Sequence, residues 1–590
     1  MICPLKPTPI PAKGAPLTSL SAVLPALAAL LLCPIPGCPA AITDDDTSGD
    51  DDVAGDDDTS GDDDATGDDD SADDDDTTEP PEDDDWPTLA LGVAPAHPGV
   101  GSMIGATGVT WARLADDLFA WGSIEESPPD GALHVYDWSC GDTAVAGFQA
   151  AGVTGLLAAI SPRNAWASVD VDDSGADPPA DGDVMPRAEH MDDYRAFIHA
   201  LVERYDGDGV DDMPGLAAPV RHWTVGREWS DLWPSNDHGD YLTLAEATAE
   251  EAQAAYPEVR LGTVPLLLWE VFEGNEPTAA EIEARLAGEP LAHNSFAGVA
   301  AILDRPDLFD FVAVHSRGDY TEIRPTLDWL RGEMADRGYD HPIWIVAAPA
   351  VGPLASGAGF PAQYPVEAAQ QADIVAALAA LATFEEPAAG QARDWLAARA
   401  ASGVVHKAAT ALGEGAVGIQ LAPTVDALDA SDAGLRLAAI EREGASVALG
   451  MLDASRTDGG CGTWTAEALR PAYRNLELLA DKLGDGQFVI QSPVGDTEGV
   501  RGYRFERIGY ALYVLWWEDG VLELPGETEA PTSYSLPLQC AEDEATVTRA
   551  VIDPAAPPPQ PEQVPLEEDC SLYLELTSVP VFVELFALSE

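Results

Sequence analysis

Lysine is almost missing from this chain. Four residues of 590 are lysine (Lys6, Lys13, Lys407 and Lys482), so nearly all of the 29 basic side chains are arginine. They face 104 aspartates and glutamates, a formal net charge of -75. A field of that sign repels phosphate backbones and anionic lipid, which excludes nucleic acid as a partner and leaves neutral glycans, cations or basic proteins. Long apolar runs are scarce too. The stretch Leu20 to Leu32 is 13 residues, too short for an ordinary membrane span, and no later segment is long and apolar enough. There is no His-Glu-x-x-His and no Gly-x-Ser-x-Gly, so metalloprotease and serine-hydrolase chemistry have no support. Cysteine is sparse: of seven, Cys3, Cys33 and Cys38 lie near the start, leaving Cys140, Cys461, Cys540 and Cys570.

What is present begins with an export pattern. Lys6 and Lys13 precede the short apolar stretch and small residues follow it, as in a secretory signal. Ile35-Pro36-Gly37-Cys38 resembles the lipobox of bacterial lipoproteins, which implies acylation of Cys38; ordinary cleavage near Ala40 or Ala41 is the alternative. Residues 1–38 are thus read as a signal peptide, with membrane contact only through a lipid anchor. In an oxidising compartment the four remaining cysteines suggest two disulfides, for which three connectivities exist; the short separation of Cys540 and Cys570 favours that pair, with Cys140 joined to Cys461. Residues 39–86 carry Asp-Asp-Asp every six positions from Asp44. Such a segment cannot bury a core and repels itself, so it reads as an extended, disordered linker able to reach on the order of 140 Å. With 24 acidic residues before Trp86, 80 acidic and 27 basic side chains remain for the rest.

After Trp86, short apolar runs alternate with Ala-rich amphipathic stretches, the pattern of repeated βα units. Eight runs read as strands: Leu89–Ala94, Val109–Leu114, Val153–Ile160, Val220–Val225, Val259–Val264, Phe311–His315, Ile343–Ala347 and Ala416–Leu421. Helices are expected at Met191–Tyr205, Leu242–Ala255, Ile323–Arg337 and Val366–Ala382. Eight strands predict one (β/α)8 TIM barrel over residues 87–485. From 486 to 590 the texture is β-rich, with Arg501–Phe505, Tyr510–Trp516 and Val579–Phe586, which predicts a C-terminal β-sandwich.

The order of motifs resembles the TIM-barrel glycoside hydrolases whose acid/base glutamate ends strand four and whose nucleophilic glutamate ends strand seven, the clan of β-xylosidases, β-galactosidases and endoglucanases. The likeness rests on Gly108-Val109-Thr110-Trp111-Ala112-Arg113, Trp121-Gly122-Ser123-Ile124-Glu125, Trp223 to Glu228, Asp310 to His315, Pro342-Ile343-Trp344, Arg470-Pro471-Ala472-Tyr473 and Pro580 to Glu584. It implies that Glu228 is the acid/base and that Arg113 points into the barrel top, where, with the nucleophile gone, it binds ligand or pairs with Glu228; a buried salt bridge is the alternative. Retaining hydrolysis needs a second carboxyl about 5 to 5.5 Å away. The matching position is Ala347, and no Asp or Glu occurs between Asp340 and Glu367. Glu270 and Asp319 are the other carboxylates near strand ends. The pattern has Asn before the acid/base, where this chain has Arg227; a guanidinium there would favour ionised Glu228 and spoil it as an acid. Strand eight lacks the usual aromatic floor. Trp229, Trp233 and Trp269 lie beyond strand ends, where indoles either stack on sugars or pack, and His315 either binds ligand or is a satisfied rim histidine. Asn275-Glu276-Pro277 imitates an active-site signature but precedes a helix start.

One loop suggests a cation. Asp206-Gly207-Asp208-Gly209-Val210-Asp211-Asp212 spaces carboxylates for an oxygen-ligated calcium through Asp206, Asp208 and Asp212, with an acidic turn as the alternative. No cofactor is required beyond that structural calcium. The sequence therefore predicts an exported carbohydrate-binding protein, partnered by oligo- or polysaccharide, that lacks retaining hydrolysis. An active glycosidase using Glu228 with another carboxylate, and a structural surface protein, are the alternatives.

Overall fold

The computed structural model describes residues 86–586 apart from 88, 169–181, 231–232, 234–236, 273–276, 288–295, 353–367, 384–385, 426–449, 458–460, 485–487, 489, 495–498, 519 and 539–542. The expected signal peptide, Cys38 with its expected acylation, and the Asp-rich segment therefore lie outside the described residues. The chain divides after Asp85, and Trp86–Glu590 is one compact unit.

Each of the eight apolar runs holds one parallel strand, and a ninth, β6, follows just past the fifth run: β1 (Ala90–Ala96), β2 (Trp111–Leu114), β3 (Gly155–Ile160), β4 (His222–Val225), β5 (Arg260–Gly262), β6 (Leu266–Leu267), β7 (Val312–His315), β8 (Ile343–Pro349) and β9 (Gly418–Ala422). Their order is β5-β4-β3-β2-β1-β9-β8-β7-β6. Bridges Gly262 to Phe311 and Trp229 to Leu266 close the ring, so β5 and β6 are one broken barrel strand. The break has a local cause. Pro265 has no N–H for the ladder, and the chain kinks there while its carbonyl accepts from Trp229 N at 2.9 Å.

The floor of the barrel, at the strands' N-terminal ends, is filled with rings. Trp86, Trp111, His222, Phe311 and Trp344 meet with centroid separations of 4.9 to 6.4 Å. Large rings at this radius require small neighbours. A Cβ at Gly155 would lie 2.3 Å from the Trp111 ring, and one at Gly262 equally close to Phe311. Burial within this aromatic shell pushes His222 down to about 3, so it is a neutral packing residue.

The expected helices form at Met191–Arg204, His238–Ala255, Ile323–Asp336 and Ala368–Thr383. Met191–Arg204 shows why. Tyr194, Phe197, Ile198, Leu201 and Val202 make one buried stripe at helical spacing. A longer helix, Ala388–Gly413, lies between barrel and sandwich. The hairpin β10 (Leu452–Arg456) and β11 (Trp464–Leu469) follows β9. Cys461, between its strands, is disulfide-bonded to Cys140 in the helix Ser139–Ala150, linking positions 321 residues apart. Cys570 is also disulfide-bonded, and Cys540 lies outside the described residues.

The C-terminal part is a sandwich. One sheet runs β12 (Ile490–Pro493), β13 (Val500–Arg507), β14 (Tyr510–Trp517), β19 (Val581–Phe586), β16 (Glu544–Arg549) and β17 (Glu562–Pro565); the other pairs β15 (Thr532–Pro537) with β18 (Ser571–Leu576). The two sheets share a core of Val500, Leu515, Leu536, Val547, Leu574 and Val583.

Candidate functional site

The chain turns sharply at the top of β4. Gly226 has φ +93°, a left-handed conformation that side chains resist. The turn sends the next two side chains to different partners. Arg227 goes to Asp183: its Nε lies 3.0 Å from Oδ1 and its backbone N donates to Oδ2 at 2.9 Å. Ser161, at the end of β3, donates to the same carboxylate at 2.5 Å. Burial raises Asp183 although Arg227 and Ser161 oppose it.

Glu228 is 1 % exposed and takes three donors. His315, the last residue of β7, holds Oε2 through Nδ1 at 2.6 Å; Arg317 Nη2 reaches the same oxygen at 2.8 Å; Ser230 Oγ donates to Oε1 at 2.5 Å. Burial by itself would raise Glu228. The Arg317 charge, the His315 bond and Ser230 outweigh it and hold the carboxyl well below the usual range. An ionised carboxylate only accepts, so this network assigns the His315 proton to Nδ1. Burial lowers His315 itself, helped by Arg113 and Arg317, which leaves Nε2 a lone pair with no protein partner.

The expectation that Glu228 is ionised by Arg227 is thus corrected in its agent. Arg227 is turned to Asp183, and the guanidinium on Glu228 is Arg317. Arg317 follows the end of β7 by two residues, and its place beside Glu228 is set by the loop there. Asp183 carried no signal, for it lies far from any strand end. Arg113 is not on Glu228 either. It is buried and paired with Asp116 at 2.7 Å, in an alignment too poor for a hydrogen bond.

On the neighbouring strand, His315 is in register with Ala347 of β8, and Ser316 N donates to the Ala347 carbonyl at 2.9 Å. The residue beside His315 on the adjacent strand is thus an alanine. Asp319 does not supply a second carboxylate there. That residue begins the short turn Tyr320–Glu322 and lines a cavity to which Glu228, His315 and Arg317 do not contribute. Trp269 and Glu270 open the helix Trp269–Phe272 after β6, but their side chains lie outside what is described. Asn275 and Glu276 also lie outside the described residues, and Thr278 caps the helix Ala279–Leu286 with a reciprocal bond to Glu281.

Trp229 and Trp233 are corrected from sugar platform to core. Each is 1 % exposed. Their rings stack at 6.3 Å, both abut Tyr241, and a Cβ on Gly298 would lie 2.5 Å from the Trp229 ring. The kink at Pro265 that draws Trp229 onto β6 is what packs them inward.

In the acidic loop, Asp212 is spent on the backbone, accepting from Gly207 N at 3.0 Å and Gly209 N at 2.7 Å. The carboxylates that converge are Glu203, Asp206 and Asp208, with ligand atoms within 4.8 Å. Burial, then Asp208, Glu203 and Asp212, push Asp206 up to about 6.

No protein-family model matches this sequence, and no curated protein sequence does. Solved structures do resemble it. A family 39 glycoside hydrolase from Bacteroides cellulosilyticus WH2 aligns over 85 % of this chain and 81 % of its own, with 15 % identity and a TM-score of 0.50. A β-xylosidase from Caulobacter crescentus CB15 covers 83 % and 92 % at 13 % identity (TM-score 0.48), and a glucosidase from Croceicoccus marinus 85 % and 96 % at 13 % identity (TM-score 0.48). At such identities a likeness concerns architecture. The chain has a glycoside-hydrolase-like fold, a TIM barrel followed by a β-sandwich.

Proposed function

We propose that this protein holds an oligo- or polysaccharide at the mouth of its barrel and does not cleave it by the two-carboxylate route. One observation carries the reading: Glu228 is clamped as an anion by Arg317 and His315, while the residue in register with His315 is Ala347. A general acid must carry a proton at working pH and a nucleophile must be present to attack. Neither requirement is met by these residues. The Arg317 guanidinium, 39 % exposed, instead offers donors to hydroxyl groups. With Trp229 and Trp233 in the core, affinity rests on such polar contacts. Export, acylation at Cys38 and calcium in the acidic loop belong to the same proposal.

Activated aryl glycosides are the test, because their leaving groups need little acid assistance. The expected outcome is no turnover by the purified protein, together with oligosaccharide binding that weakens in Arg317→Ala. Turnover abolished by Glu228→Gln would overturn the reading, and an inverted product would point to Glu270 as the second carboxylate.

A further inference from the structure

A well-formed cavity lies away from the barrel mouth. Between the barrel and the sandwich, beside the helix Ala388–Gly413, lies a cavity of about 470 Å³, a size suited to a small organic ligand. Its wall joins Asp319, Tyr320 and Trp395 of the barrel to Glu518, Glu527 and Glu529 of the sandwich.

The charges around it do not balance. Glu523 brings the carboxylates to five, against Arg399 and Lys407. Lys407 donates from Nζ to Ser316 O at 2.7 Å and to its Oγ at 3.2 Å, and its charge is shared between Glu322 and Asp319. Arg399 sits over the Trp395 ring at 5.9 Å. His406 is neutral, pushed down to about 4 by burial. Glu518 has only uncharged donors: Gly520 N at 3.0 Å on one oxygen and the Tyr320 hydroxyl at 3.2 Å on the other. Burial and then Asp319 push it up to about 7. Arg399 opposes the rise from a distance, but a recessed carboxylate beside a second one, with only uncharged hydrogen-bond donors, is stabilised further by a cation.

The walls say which kind. A hard metal ion takes six or more oxygens in close array, and Glu527 and Glu529 are already engaged, the first by Leu524 N and the second by Ser578 N and Oγ. Val351, Val579 and the Trp395 ring supply apolar and π surface, which attracts an ammonium carried on carbon. We propose that this cavity is a binding site for a small organic cation bearing a primary ammonium, seated against Glu518 and Asp319. The site is independent of the barrel mouth and of what the mouth does.

Titration calorimetry of the full chain with putrescine, against butanediol as its uncharged analogue, tests this at pH 8. Putrescine binds with one-to-one stoichiometry and at least tenfold more tightly than the diol, and Glu518→Gln or Asp319→Asn weakens it about tenfold while the melting temperature is kept. Equal binding of diamine and diol overturns the proposal. So does putrescine binding that survives both substitutions, since that would be diffuse attraction to the Asp-rich segment, and so does calcium binding at this place in preference to putrescine.

Discussion

Glu228 and Glu518 each follow the end of a strand and each lose solvation, yet they move in opposite directions. Glu228 is the more deeply buried and is held low; Glu518 is pushed up to about 7. Burial acts the same way on both. What differs is the company: a guanidinium and an imidazole N–H at the barrel mouth, a phenol, a peptide N–H and a neighbouring aspartate at the junction. Partner charge, and not depth, sets the state of a carboxylate here.

Substitution breaks the comparison most strongly. Glu228→Gln leaves Arg317 and His315 without their anion and should destabilise the fold by about 2 kcal/mol, below the usual figure for a fully buried pair because Arg317 is partly exposed. Glu518→Gln should cost less than about 0.5 kcal/mol at pH 7, because glutamine resembles the protonated form. Denaturant midpoints of the two variants measure the contrast, and equal losses would dissolve it.

The pH dependence sharpens it. Glu228 has a depressed pKa when folded, so its stabilisation is present above the unfolded value near 4.3 and is lost as pH falls further. Glu518 has a raised one, so its contribution is complete below about 4.3 and is lost as pH rises through 7. The gap between wild type and Glu228→Gln should therefore close below about pH 4. The gap for Glu518→Gln should open between about pH 4.3 and 7, in favour of the variant, by about 1 to 2 kcal/mol, and stay level above that. Melting curves from pH 3 to 9 read both.

Removing one cation asks whether the low state of Glu228 depends on it. In Arg317→Met the Glu228 carboxyl should titrate at least one unit higher, followed by carbon NMR, with His315 left to hold it; an unchanged titration would place the cause in His315 alone. The smallest effect concerns a third acidic group, Asp206 with Glu203 and Asp208. Calcium should raise the melting temperature by about 1 °C, and Asp208→Ala should remove the rise.

Much of the fold was legible because parallel strands buried on both faces read as continuous apolar runs. Each of the eight holds one strand, and the missed β6 lies just past Pro265, outside the run Val259–Val264. The Cys140–Cys461 bond was legible from cysteine arithmetic. The site was less so. Whether a tryptophan beyond a strand is platform or core depends on what packs on it, and Gly298 and Tyr241, which enclose Trp229, are distant in sequence. The guanidinium next to Glu228 in sequence is not the one next to it in space, since the Gly226 turn parts neighbours and the barrel brings β4 and β7 together. The junction cavity left no trace, because its two walls come from separate parts of the chain.

The barrel floor has a mechanical side. Trp86 is wedged among His222 and Phe311 and lies 5.7 Å from the Arg260 guanidinium, so the polypeptide enters the folded body through a plug of rings. Tension arriving along the chain from its acidic first residues would load that plug before it reached β1. Glu228 lies at the other end of the strands, where the force would be weakest. Trp86→Ala should lower the force needed to strip β1 from the barrel in single-molecule pulling, while leaving ligand affinity at the mouth as it was.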